Sequence, residues 1–203
     1  MFTLRQYLLA LLDSRGLTRT LGEIDVCRDE QGRPCFSAGN SAAVFRIRLG
    51  GRIRSLRCYL RPMRHLKEIY GQRLLKKELY LHTSPETGVW VDTVLGDWIE
   101  GSTLHETVAQ AAALRDRESL QILVRLFDRL ALALVTDDRA HGDLKPENII
   151  VGDDGTLCPI DFDASYLPAF AGEISPELGT AAYQHPARTA ADFCLLYTSD
   201  AAD

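Results

Sequence analysis

The stretch from His141 to Asp163, HGDLKPENIIVGDDGTLCPIDFD, constrains this chain more than any other. It sets an acid (Asp143), a lysine (Lys145), an amide (Asn148) and a second acid (Asp161) at fixed intervals across two short apolar runs. Ile149 to Val151 and Leu157 to Ile160 read as strands joined by a Gly152-Asp153-Asp154-Gly155 turn, which is a tight hairpin. That hairpin folds the chain back and brings Asn148, at its entry, beside Asp161, at its exit. Two oxygen ligands on adjacent strand ends suit one hard cation, and Mg²⁺ favours sparse ligation of this kind, completed by phosphates and water. Asp153 and Asp154 read as turn formers rather than ligands.

The first half has a different pattern. Met1 to Arg15 reads as an amphipathic helix with Leu4, Leu8, Leu11 and Leu12 on its core face; its apolar run is too short, and its end too charged, for a secretory leader. Glu23 to Cys27 and Pro34 to Phe36 read as short strands around a DEQGR turn. Ala43 to Leu49 and Ile53 to Leu60 form a hairpin about Gly50-Gly51. His65 to Leu81 reads as a basic amphipathic helix, Val89 to Ile99 as a strand, and Gly101-Ser102-Thr103 as a break. Leu120, Leu123, Phe127, Leu130 and Leu134 step by three and four, which predicts a long helix with one buried face ending near Asp137.

His141, Asp143, Lys145 and Asn148, followed by Asp161-Phe162-Asp163, resemble the catalytic loop and metal-binding motif of the protein kinase fold. The resemblance implies that Asp143 orients the substrate hydroxyl and accepts its proton. It makes Lys145 the stabiliser of charge on the transferring phosphoryl group, and Asn148 and Asp161 the ligands of Mg²⁺. Lys145, two places after the acid, is the serine/threonine-kinase pattern, so the implied acceptor is a Ser or Thr hydroxyl of a protein. Ser37 to Val44 is similar to the glycine-rich phosphate loop, with Gly39 at the middle glycine and small neighbours that let backbone approach phosphates. The resemblance further implies that Gly39, Ser41, Val44, Arg57, Glu78, Asp97 and Ile99 contact ATP or support its site. Asp97 to Gly101 resembles the hinge that takes the adenine edge, and Gly179-Thr180 followed by Pro186 resembles the substrate-docking segment, with Thr180 bracing acid and lysine.

Several positions depart from that pattern. Arg57 stands where the third strand carries a lysine, and a planar guanidinium need not grip the same phosphate oxygens as an ammonium. Glu78 is its expected partner by spacing, ahead of Glu68. Gly142 replaces the arginine that reads a phosphorylated activation loop, Asp163 replaces a glycine, and Ala187 replaces the acid after Pro186. A complete helical lobe of this family continues well past this point. The expectation is therefore a fragment, in which Asp192-Phe193 begins the next helix and Leu195 to Asp203 is a non-native tail that resembles translated sequencing-adapter read-through.

Composition narrows the setting. No apolar run approaches the roughly 20 residues of a membrane span, so no membrane partner is expected. The five scattered cysteines (Cys27, Cys35, Cys58, Cys158, Cys194) form no CxxC pair, which fits free thiols in a cytoplasmic protein. Arg46 to Lys77 holds eleven basic residues against the single acid Glu68. Without interleaved aromatics this block reads as a solvated face with some phosphate-facing groups, not as a nucleic-acid surface.

The expected fold is α+β and kinase-like bilobal: a helix over residues 1–20, an N-lobe of antiparallel sheet plus helix over 21–100, and an incomplete helical C-lobe over 101–194. The expected function is ATP- and Mg²⁺-dependent transfer of the γ-phosphoryl group. Two alternatives remain open: a pseudokinase that binds nucleotide or a partner without turnover, motivated by Arg57, and a small-molecule phosphotransferase of aminoglycoside type, which leaves Lys145 and Gly179-Thr180 unexplained.

Overall fold

A computed structural model describes residues 1–191 and 193. The proposed start of a helix at Asp192 and the tail from Leu195 lie outside the described residues. The chain divides into two compact units between Trp98 and Ile99.

The first unit is an antiparallel sheet with one helix packed on it. Helix α1 (Leu4–Leu12) starts at a capping box, in which the Thr3 hydroxyl accepts from the Gln6 amide and the Gln6 side chain accepts from the Thr3 amide. Strands β1 (Asp25–Val26), β2 (Phe36–Ala38), β3 (Ala42–Leu49) and β4 (Arg52–Tyr59) follow, and β5 (Leu74–His82) and β6 (Gly88–Asp97) complete the sheet in the order β1-β3-β4-β6-β5, with β2 also on β3. The two-residue period puts Ala43, Phe45 and Ile47 of β3, Leu56 and Cys58 of β4, and Leu79 and Leu81 of β5 on one buried face. Tyr7, Ala10 and Leu11 of α1 cover that face, and the Tyr7 hydroxyl donates to the Tyr59 carbonyl at 2.6 Å. Leu12, expected inward, is 46% exposed, because the core stripe of α1 runs through Tyr7, Ala10 and Leu11. The helix therefore belongs to the same unit as the sheet.

The long helix expected over 65–81 does not form. Helix α2 is only Leu66–Tyr70; Gly71, at φ +53°, ends it, and a single 3₁₀ turn to Arg73 leads into β5. The leucines of β5 fit a helical stripe only because a bulge between Leu75 and Leu79 breaks their two-residue alternation. Lys77 sits in the bulge at φ +50° and donates its amide to Asp92 Oδ1 at 2.7 Å.

In the second unit, Gly101-Ser102-Thr103 is not a break but strand β7 (Gly101–Thr103), paired with β8 (Ile149–Gly152), which in turn pairs β9 (Leu157–Pro159). Thr103 also caps helix α3 (Leu104–Ala113) through a capping box with Glu106. Helix α4 (Arg117–Thr136) matches the predicted stripe in place, but of its five stripe residues only Leu123 is fully buried; Leu120, Phe127, Leu130 and Leu134 are half-buried. Leu104, Leu123, Leu144 and Ile149 form the core that seats the β8–β9 hairpin on α4.

Candidate active site

The second unit assembles the acid, lysine, amide and threonine around one carboxylate. Across the β8–β9 hairpin Ile149 pairs with Pro159, and the Ile160 amide donates to the Asn148 carbonyl at 2.8 Å. Asp161 is the next residue, so the hairpin brings the two backbone positions together. Asp161 itself holds a left-handed backbone, φ +67° and ψ +60°. Such a conformation in a non-glycine residue carries strain of a kind that clusters at functional sites.

Asn148 donates its side-chain amide to the Asp143 carbonyl at 2.8 Å and to Asp143 Oδ2 at 3.1 Å. With its nitrogen committed, the amide oxygen is the atom left to take a cation. Lys145 Nζ lies 3.1 Å from Asp143 Oδ2 and donates to Thr180 Oγ1 at 2.9 Å. The Thr180 amide donates to Asp143 Oδ1 at 2.6 Å. Asp143 is thus held at both oxygens, by three separate donors.

Beneath this loop, His141 is 3% exposed; its Nε2 hydrogen-bonds the Ile160 carbonyl at 2.8 Å, and its ring lies 4.9 Å from that of Phe162. A carbonyl only accepts, so Nε2 carries the proton and Nδ1 takes the Asp143 amide at 3.4 Å. Burial lowers the His141 pKa below the ordinary histidine range, opposed in part by the bond to Ile160. The imidazole is a buried strut.

Two glycines of the site answer to backbone contacts. Gly142 has φ +79°, and a Cβ there would sit 2.0 Å from the Ala164 carbonyl oxygen, which explains why no arginine follows His141. Gly179 has φ +70°, and a Cβ on it would fall 2.5 Å from the Gly142 oxygen and 3.1 Å from Asp143 Oδ1. Sequence reading missed Gln184 and Arg188, which also bond the Gly142 carbonyl. Only the glycine at 142, in place of a large side chain, signalled a close backbone approach there.

The remaining residues expected at the nucleotide site lie mostly in the first unit. Arg57 pairs with Val44 on one side and Val94 on the other, so these three side chains share the sheet face opposite the α1 core. Gly39 lies in the β2–β3 turn, donates its amide to the Ala42 carbonyl, and has only that oxygen, at 4.0 Å, near the place of a Cβ. The Ser41 carbonyl accepts from the Leu60 amide, and its hydroxyl accepts from Arg61 Nη2 at 3.4 Å. Asp97 ends β6; its carbonyl accepts from the Ser55 hydroxyl and its carboxylate lies 3.5 Å from Arg54 Nε. Ile99 is the first residue of the second unit.

Glu78 differs from expectation. It lies on strand β5 rather than on a helix, and β6 separates β5 from the strand of Arg57. Its carboxylate is 1% exposed with the rest of the residue. Oε1 accepts from the amides of Arg19, Thr20 and Leu21 at 3.1, 2.8 and 2.9 Å, and Oε2 accepts from the Thr20 hydroxyl at 2.6 Å. Glu78 is therefore a staple between β5 and the segment after α1.

Among the described residues no cluster of three or more His, Cys, Asp or Glu could hold a metal by itself, and no helix is long and apolar enough to cross a membrane. Cys27, Cys35, Cys58 and Cys158 are free thiols, and Cys194 lies outside the described residues.

No family model matches the chain. It is similar to CBL-interacting protein kinase 17 of Oryza sativa subsp. japonica, 30% identical over 167 residues, which cover 80% of this chain and 35% of that protein. The chain thus spans about a third of the length of the curated relative it matches. That likeness, together with a mixed fold compatible with a kinase N-lobe, supports a kinase-like family.

Proposed function

We propose that this chain carries the catalytic region of an ATP-dependent phosphotransferase that moves the γ-phosphoryl group to a Ser or Thr hydroxyl of a protein, in a bilobal kinase fold. The observation that carries the reading is the Asp143 carboxylate, held at both oxygens by Thr180, Asn148 and Lys145. A carboxylate fixed in this way can orient an incoming alcohol and take its proton as the new P–O bond forms. Lys145, 3.1 Å from Asp143, supplies positive charge where phosphoryl oxygens pass.

The donor set fits Mg²⁺. One amide oxygen and one carboxylate from adjacent strand ends, with no group of three or more His, Cys, Asp or Glu ligands among the described residues, leave room for the phosphate and water oxygens that this ion prefers. Asn148 and Asp161 would hold it, and when bound it would neutralise charge on the phosphates. Val44, Arg57, Gly39 and the Asp97–Ile99 backbone are the groups proposed to take ATP.

A second reading, nucleotide binding without turnover, is favoured by Arg57 in place of lysine and by the commitment of Glu78 to residues 19–21. Labelling with γ-³²P-ATP and Mg²⁺ separates the two. The first reading requires phosphate on Ser or Thr that disappears in Asp143→Ala. ATP binding with no label in the wild type would establish the second.

A further inference from the structure

One departure from the kinase pattern, the missing side chain at Gly142, lies at the guanidinium of Arg188. Arg188 Nη1 donates to the carbonyls of Gly142 at 3.2 Å and Leu178 at 3.0 Å, and to Gln184 Oε1. Its Nη2 donates to Ser175 Oγ and to the Glu177 carbonyl, both at 3.3 Å. Gln184 Nε2 reaches the same Gly142 carbonyl at 3.2 Å. Five acceptors from the catalytic loop and from both ends of the 175–184 segment thus converge on one planar fork.

We propose that Arg188 is the positioning residue that locks residues 175–184 onto the catalytic loop, and so sets Thr180 against Asp143 and Lys145. Gly179 is the point of contact, since a Cβ there would lie 2.5 Å from the Gly142 oxygen that Arg188 binds. The next residue, Thr180, donates its amide to Asp143 and accepts from Lys145 at its hydroxyl. A guanidinium can do this because its donors spread over two terminal nitrogens in one plane; an ammonium offers three donors from a single centre and cannot span the Ser175–Glu177 and Gly142–Leu178 acceptors together. The catalytic consequence rests on the phosphotransfer reading, but the anchoring does not.

Hydrogen exchange of the full chain tests the anchoring directly. The Thr180 amide reports the contact with Asp143, and the Ile160 amide, bonded to Asn148, reports the hairpin. In Arg188→Met, which keeps an unbranched apolar stem, and in Arg188→Lys, which keeps the charge, Thr180 should exchange about tenfold faster or more while Ile160 stays within about twofold. Self-labelling from γ-³²P-ATP should lose about tenfold in kcat with KM for ATP nearly unchanged, because only the placement of the catalytic groups has moved. Unchanged exchange at Thr180 in either variant overturns the proposal, as does equal acceleration at both amides, which would mark Arg188 as general packing. If Arg188→Met fails to fold, the lysine variant decides alone. If the wild type transfers no phosphate, the phosphotransfer reading falls and the exchange result still judges the anchor.

Discussion

Thr180 and Asp143 are joined by a 2.6 Å hydrogen bond from the threonine amide to Oδ1, while the threonine hydroxyl accepts from Lys145 at 2.9 Å. One residue therefore braces both the acid and the lysine, through different atoms. Thr180→Val removes the hydroxyl and keeps the amide. We expect phosphate transfer to fall about tenfold, the effect of one lost charge-assisted hydrogen bond, with KM for ATP unchanged. Steady-state kinetics against ATP check this, and a change confined to KM would contradict it.

Gly142→Ala should destabilise the second unit by about 2 kcal/mol or more, because the backbone is left-handed and the added carbon meets the Ala164 oxygen. Gly39→Ala, with nothing close to its Cβ, should leave urea unfolding unchanged. Any loss of nucleotide affinity in that variant then reports a clash with ligand rather than with protein.

Glu78→Ala should cost about 2 kcal/mol in urea unfolding, since the part-buried amides of Thr20 and Leu21 and the Thr20 hydroxyl lose their acceptor together, while the Arg19 amide keeps the Glu78 carbonyl. A normal unfolding midpoint with reduced nucleotide affinity would instead restore the role expected of Glu78 from sequence.

His141 makes stability depend on pH. Its folded pKa is lowered by burial, so the unfolded chain binds the proton more readily. The stability held by the neutral ring is complete above about pH 6.5, the ordinary histidine value, and is lost as pH falls through the folded value. Denaturant midpoints measured downward from pH 7.5 should fall more steeply for the wild type than for His141→Asn. Parallel curves would contradict this.

The second unit was the more legible in sequence. The hairpin from Ile149 to Ile160 and the helix ahead of it are built from local contacts and local turn chemistry, so residue spacing carried their geometry. Strand β5 was hidden because its bulge at Lys76 and Lys77 breaks the alternation that marks a strand, and its leucines then fall at helical intervals. Glu78 was misjudged for the same reason: on a helix it would face a sheet partner, whereas on the bulged strand it turns to the amides of residues 19–21. β7 was hidden because Gly101-Ser102-Thr103 has turn composition and owes its pairing to β8, far along the chain. Arg188 had no sequence signal of its own beyond the glycine at 142, since three of the acceptors it meets are backbone carbonyls, which every sequence supplies.

The cation site proposed at Asn148 and Asp161 is central to the proposed chemistry, and ATP affinity measured by calorimetry with and without Mg²⁺ tests it most directly. The account predicts that Mg²⁺ tightens ATP binding about tenfold or more in the wild type, and that Asp161→Asn abolishes this gain while the chain stays folded. Equal affinity with and without Mg²⁺ in the wild type, or an undiminished gain in Asp161→Asn, would contradict it.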